Sequence, residues 1–223
     1  MATYKVILLD LDGTITDPKI GITKSVQYAL RKMDIASPDV DQLEGFIGTP
    51  LQVSFVEYFD FDEHQTEKAI DFYRERFKVK GIVENELYPN ILGLLTFLRE
   101  QSFSLIVATS KPTIFAEQIL QHFKIDHYFD LVVGSNLNGT RTSKTEIIQY
   151  VLDEYKQYKP EDFLMIGDRK HDIVGANHNG IDSIGVLYGY GSLEELKNSE
   201  PTYLVESVEQ VKAVFDLSFT LSE

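Results

Sequence analysis

The 223-residue chain contains no cysteine, and its 21 basic residues are outnumbered by 35 acidic ones. Without thiols there can be no disulfide, zinc–thiolate site or cysteine nucleophile, which fits a reducing compartment. The net charge of −14 disfavours binding to a nucleic-acid polymer, because an acidic surface repels phosphate backbones at long range. It does not exclude a small anionic ligand, provided a site supplies its own cations. Long apolar runs are also missing, and no stretch approaches the ~18–20 residues of a membrane span. The opening MATYKVILLD carries an apolar run shorter than a signal peptide's hydrophobic region, and it ends in an aspartate. Soluble, cytoplasmic and not membrane-bound is the expectation.

What is present is ordinary globular material, 43% hydrophobic and 25% charged, arranged in alternating periods. "YKVILLD" is a short continuous apolar run, as expected of a strand buried on both faces of a parallel sheet. The pattern then turns helical. Ile22, Val26, Leu30 and Met33 share a stripe, "SPDV" at 37–40 interrupts it, and a second helix is expected near 51–59. A third runs from about Asp62 to Lys80, with Ala69, Ile70, Tyr73 and Phe77 on one face and Gly81 as its stop. Phe55, Tyr58, Phe59 and Phe72 read as packing residues of this block, in which no strand is expected between Thr16 and about Glu86. From "LYPNI" at 87–91, helices and strands alternate, with strands at 103–110, 129–134, 163–168, 183–189 and 202–205. That alternation implies an α/β fold: a Rossmann-like, doubly wound parallel sheet with an all-helical cap inserted after the first strand. The expected division is a core of residues 1–16 and 87–223 with a cap of 17–86, joined by crossings near 15–19 and 82–89.

Ligands of open α/β sheets collect beyond the carboxyl ends of the strands. Those ends carry Asp10 and Asp12, then Thr109, Ser110 and Lys111, then Asp168 with Asp172 nearby; Lys144 opens a helix after "GSNLNGTRTSK". Three aspartates, a lysine and a hydroxyl suit a metal-bound phosphate, since magnesium takes hard oxygen ligands and phosphate oxygens need donors. The D-x-D spacing can divide labour, because alternate side chains of an extended chain point to different sides. One carboxylate can meet phosphorus and metal while the other reaches the leaving group.

"DLDGTITD", "VATSK", Lys144 and "GDRKHD" resemble, in order and spacing, the four motifs of the haloacid dehalogenase superfamily, and the likeness covers essentially the whole chain. It looks closest to the phosphoglycolate-phosphatase-like branch, and "TSKP" with "GDRKHD" is similar to a bacterial 5′-nucleotidase subgroup. The resemblance implies that Asp10 is a nucleophile forming an aspartyl-phosphate and that Asp12 is the general acid and then the base. It implies further that Thr109 binds the transferring phosphoryl group and that Lys144 neutralises charge on it. Magnesium would be held by Asp10, the main-chain carbonyl of Asp12 and Asp168, with Asp172 supporting Lys144 or the metal's waters. Leu11, Ser110, Lys111 and Gly48 (the last in the "FIGTPL" turn) would contact phosphate or substrate. Relatives that act as dehalogenases or phosphonatases lack an acid at the Asp12 position, and ion-pumping relatives carry lysine–threonine after the nucleophile. Asp12 therefore points to phosphate esters.

Each residue also has a plainer reading. Asp10 and Asp12 could be an acidic turn, Asp168 a helix cap, Asp172 a dipole-driven aspartate and Thr109 a strand-forming residue. A lysine opening a helix opposes the dipole, which favours a role for Lys144. His64, His122, His127 and His178 read as surface residues, and His171 as a non-catalytic neighbour of the site. The expected function is magnesium-dependent hydrolysis of a small phosphorylated metabolite such as phosphoglycolate, a nucleoside monophosphate or a sugar phosphate. A sugar-phosphate mutase is the alternative, and a non-catalytic scaffold ranks lower; monomer and homodimer stay equally open.

Overall fold

A computed structural model describes residues 4–220. Its centre is a six-stranded parallel sheet in the order β5-β4-β1-β6-β7-β8. The strands are β1 (Val6–Leu9), β4 (Ser104–Pro112), β5 (Leu131–Ser135), β6 (Phe163–Gly167), β7 (Asp182–Val186) and β8 (Tyr203–Val205). The strand period of two divides the apolar residues between two faces. Ile7, Leu9, Leu105, Val107, Leu164 and Ile166 belong to one buried cluster, while Val6, Leu8, Ile106, Ala108, Phe163 and Met165 belong to the other. Helices α4 (Ile91–Glu100), α5 (Thr113–His122), α6 (Lys144–Glu154), α7 (Lys170–His178), α8 (Leu193–Asn198) and α9 (Val208–Thr220) make the crossovers and close the core. The fold is thus the expected doubly wound α/β sheet with a helical insertion.

β1 lies between β4 and β6, so the chain runs outward one way through β4 and β5 and the other way through β6, β7 and β8. That reversal is a topological switch point, where neighbouring loops part and leave a crevice beyond the strand ends. All the candidate catalytic segments of the sheet open into it.

The insertion holds α1 (Lys19–Lys32), a 3₁₀ segment (Val40–Phe46), α2 (Leu51–Phe59) and α3 (Glu63–Arg76), the last running into a single π turn (Phe77–Gly81). α3 starts where a capping box forms: Asp62 accepts from the Gln65 N–H at 2.8 Å, and the Gln65 side chain accepts from the Asp62 N–H at 3.1 Å. Ala69, Ile70, Tyr73 and Phe77 are buried on its inner face, as the 3.6-residue period requires. Three expectations need correction. The block is not free of strand, because β2 (Thr16–Asp17) and β3 (Glu86–Leu87) pair antiparallel at its two crossings. Two-residue strands show no period and cannot be read from a pattern. Tyr58 is not interior: it is 46% exposed, although its ring still packs on Phe46 at 5.1 Å. The interruption at 37–40 gives way at Val40 to the 3₁₀ segment, closed by Asp39 and Gln42. Helices α8 and α9 also lie beyond the expected elements. No helix among the described residues is long and apolar enough to cross a membrane.

Candidate active site

Asp10 follows β1 directly, and its N–H continues the ladder to the Ile166 carbonyl at 2.9 Å. Its Oδ1 accepts from the Leu11 N–H at 2.7 Å and lies 2.7 Å from the Lys144 ammonium. Leu11, expected at the phosphate, buries its side chain in the core and commits its N–H to Asp10. Gly13 then turns the chain at a φ of +88°, a conformation glycine adopts without strain. A Cβ there would lie 2.1 Å from Asp168 Oδ2, so only glycine lets the first loop pass this close to the third aspartate.

Asp12 takes a separate direction. Its Oδ2 is 2.7 Å from the Lys111 ammonium, and its Oδ1 is buried without a hydrogen-bond partner. Burial pushes its carboxyl above the ordinary aspartate value, with Lys111 opposing. Lys111 comes from the end of β4, where the register with β5 shifts between Ala108 and Pro112. That irregularity is pinned by the Lys111 N–H donating to Thr109 Oγ1 at 3.3 Å. The Lys111 ammonium also stands 4.4 Å from the centroid of the Phe77 ring, at the end of α3.

Lys144 occupies the first turn of α6 because Ser143 caps that helix in a box with Glu146. Its buried side chain reaches inward, donates to the Ala108 carbonyl at 2.6 Å and lies 2.7 Å from both Asp10 Oδ1 and Asp172 Oδ1. Burial alone would lower its pKa, but the two carboxylates outweigh it and hold the ammonium above the ordinary lysine value. Asp172, in the first turn of α7, also accepts from the Arg169 N–H at 3.1 Å, and burial pushes it up to about 6. Asp168 directly follows β6 and is fully buried, accepting from Thr14 Oγ1 at 3.3 Å and from the Tyr190 N–H at 2.8 Å. Burial, with Asp172 and Asp10 beside it, pushes its carboxyl well up.

Asp10, Asp168 and Asp172 each present a carboxylate oxygen, all within 4.8 Å of one another and all buried. Three carboxylates face one ammonium, so the group carries excess negative charge in a place that penalises it. An all-oxygen donor set without histidine or cysteine suits a hard divalent cation and not a soft one. The triad can therefore bind a metal.

A cleft above this group is lined by Asp12, Thr109, Ser110 and Lys111 from the sheet side and by Gly48 from the insertion. The structure thus gathers the expected residues around two adjoining centres. One is Asp10, Lys144, Asp168 and Asp172; the other is Asp12, Lys111 and Thr109. His171 is partly buried in an adjacent cleft with Ser110 and Lys144, while His64, His122, His127 and His178 are exposed. Sequence reasoning missed Arg169, whose Nη1 donates to the Ile47 carbonyl at 2.5 Å and whose Nε donates to Glu195 at 2.9 Å. It also missed Arg74 of α3, which lines the cleft. Arg169 stands inside "GDRKHD", where the aspartates carried the signal; nothing in the sequence singles out Arg74.

The sequence matches the family of haloacid dehalogenase-like hydrolases over residues 7–186. It is 46% identical to a 5′-nucleotidase of Pseudomonas aeruginosa over 96% of each chain. It is 33% identical to the tyrosine-protein kinase PtkA of Mycobacterium tuberculosis over 91% of this chain and 69% of that protein. Among solved structures, that of a predicted phosphatase from Clostridium acetobutylicum superposes with a TM-score of 0.92 at 50% identity, covering 96% of this chain and 99% of that one.

Proposed function

The chain belongs to the haloacid dehalogenase-like hydrolases and is a phosphatase of that family, and we propose that it hydrolyses nucleoside monophosphates through an aspartyl-phosphate on Asp10. One observation carries the mechanism. Asp10 is held by Lys144 among the metal-binding carboxylates, while Asp12, two residues on, is turned to Lys111 at the cleft. The two carboxylates therefore sit in different surroundings and can do different work.

In the first half-reaction an Asp10 carboxylate oxygen bonds to phosphorus, and the bond from phosphorus to the ester oxygen breaks. Asp12 gives that oxygen its proton, so the leaving group departs as a neutral alcohol. In the second half, the Asp12 carboxylate takes a proton from water, whose oxygen bonds to phosphorus as the Asp10 oxygen leaves. Thr109, Ser110 and Lys111 bind the phosphoryl oxygens, and the Lys144 ammonium neutralises charge on Asp10 and on the transferring group. Asp10, Asp168 and the Asp12 main-chain carbonyl would hold magnesium, which supplies charge neutralisation on the phosphoryl group when bound. Asp172 positions Lys144. Residues 17–86 form the cap, and residues 1–16 with 87–223 the catalytic core. The cap covers the cleft through Gly48 and Phe77, excluding bulk water during transfer.

The choice of a nucleoside monophosphate over phosphoglycolate or a sugar phosphate follows the 46% identity to a 5′-nucleotidase. The cysteine-free sequence fits a cytoplasmic setting. Free phosphate is the quantity to follow, since it separates hydrolysis from transfer to another acceptor, including mutase chemistry. With magnesium, the wild type releases phosphate from nucleoside monophosphates, chelator abolishes release, and Asp10→Asn lowers kcat by at least 10³-fold. Asp10→Asn turning over at the wild-type rate would overturn the mechanism.

A further inference from the structure

Resting on the phosphatase reading, we infer that Arg74 is a specificity-determining residue that binds an oxygen acceptor on the leaving group. Arg74 projects from α3 of the insertion into the same cleft that Asp12, Thr109 and Lys111 line from the core. Its neighbour two positions on shows what a structural arginine of this helix looks like. Arg76 is firmly paired: its guanidinium meets Glu84 at 2.8 and 2.9 Å and Ser25 at 3.1 Å. Arg74 is not. It makes one hydrogen bond, from Nη1 to the Leu137 carbonyl at 3.2 Å, and its buried Nε donates to no protein acceptor. Among the described residues no carboxylate forms an ion pair with it.

A guanidinium carries five N–H donors and no acceptor, so a buried, unused Nε–H is a demand for oxygen. The protein does not supply that oxygen. Arg74 lines this cleft and also an adjoining, more open one with Glu63, Glu67 and Asp71, and of the two only the first also holds Asp12 and Lys111. Among the described residues, Lys111 is the one other cation lining the cleft, and it is already paired with Asp12. The phosphoryl end of the cleft is thus provided for by the core, which leaves Arg74, on the insertion side, for what the phosphate is attached to. A planar, rigid donor fork suits a carbonyl, a carboxylate or a vicinal hydroxyl better than an aliphatic or aromatic group without oxygen. The shared chemistry is an oxygen acceptor on the leaving group. On a nucleotide this is a base carbonyl or a ribose hydroxyl; on phosphoglycolate it is the carboxylate.

The test compares kcat/KM for the full-length wild type, Arg74→Gln and Arg74→Lys, with magnesium, on four substrates. These are uridine 5′-monophosphate, ribose 5-phosphate, 2-phosphoglycolate and phenyl phosphate, whose leaving group bears no oxygen beyond the ester. Arg74→Gln is expected to lower kcat/KM at least tenfold on an oxygen-bearing substrate, mainly through KM, and to leave phenyl phosphate within threefold. Arg74→Lys recovers part of the loss. Loss on the uridine nucleotide alone identifies a base carbonyl, loss on it and ribose 5-phosphate a ribose hydroxyl, and loss on phosphoglycolate a carboxylate. An equal loss on all four substrates would make Arg74 a mere tie to Leu137 and overturn the inference, as would no loss on any. A wild type that releases phosphate from none of them overturns the underlying phosphatase reading as well.

Discussion

The Arg169 guanidinium spans the boundary between sheet and insertion, donating from Nη1 to the Ile47 carbonyl at 2.5 Å while Glu195 Oε1 holds its Nε at 2.9 Å. Arg169 follows Asp168 in the chain, and Ile47 precedes Gly48, whose φ is +77°. One side chain thus connects the loop of the acidic triad to the turn that roofs the cleft. A hydrogen bond from a charged donor contributes about 1.5–3 kcal/mol, and partial solvent access brings this contact towards ~1 kcal/mol. Arg169→Ala should therefore shift the balance towards an open cap about fivefold. Hydrogen exchange over residues 44–52 should quicken, with a few-fold rise in KM and the sheet's protection unchanged. Unaltered exchange in that segment would show that Arg169 does not hold the cap.

Glu195 makes that contact pH-dependent. Burial opposes its ionisation, but the Lys170 N–H and the Arg169 guanidinium outweigh burial and hold the carboxyl below the ordinary glutamate value of 4.5. A depressed folded-state pKa contributes stability that is fully present above about pH 4.5 and is lost as pH falls through the lower folded value. The side chain is partly exposed, so the contribution is below about 1 kcal/mol. Glu195→Gln is expected to lower the denaturation midpoint slightly at pH 7, and the gap to wild type should narrow as pH falls below about 4.5. A gap that widened on acidification would reverse the assigned sign.

The sheet was legible because burial on both faces leaves continuous apolar runs, and the helices because their stripes repeat every 3.6 residues. Ala69, Ile70, Tyr73 and Phe77 are a direct case: one face in the sequence, one buried face in the fold. The residues of the acidic triad and Lys144 were legible for another reason, since strand ends and helix starts are fixed points of an α/β chain. What escaped has a common cause. β2 and β3 are too short to show a period, and Arg74, Arg169 and Tyr190 act through partners 63, 122 and 22 residues away in sequence. Leu11 illustrates the limit from the other side. It lies within the motif, yet its N–H is committed to Asp10, a local hydrogen bond that residue order does not encode.

Lys144 joins stability to chemistry. Its ammonium touches Asp10, Asp172 and the Ala108 carbonyl, all buried. Removing one member of a buried ionic group leaves the others uncompensated, at a cost of about 3–5 kcal/mol. Lys144→Met should lose part of that, because its carboxylates can take up protons, and should lower kcat by about 10²–10³-fold. Chemical denaturation and phosphate release from the same preparation check both. A variant equally stable and active would mean that the ammonium is dispensable.

The acidic triad makes a last prediction that needs no turnover. Three buried carboxylates within 4.8 Å of one another, with one lysine among them, are short of positive charge, which a divalent cation would supply. A ligand that binds the folded state alone stabilises it by about 2.7 kcal/mol when present at 100 times its dissociation constant. Magnesium titrated into the wild type should raise the melting temperature by several degrees, saturably, and chelator should reverse the rise. Asp168→Asn keeps the shape and removes a charge; its amide oxygen can still accept from the Tyr190 N–H, while its amide N–H₂ can donate to the Thr14 hydroxyl. It should melt at or above the chelator-treated wild type, since burial already disfavours the Asp168 anion, and should gain little from magnesium. A shift of equal size in both proteins would place the cation away from Asp168.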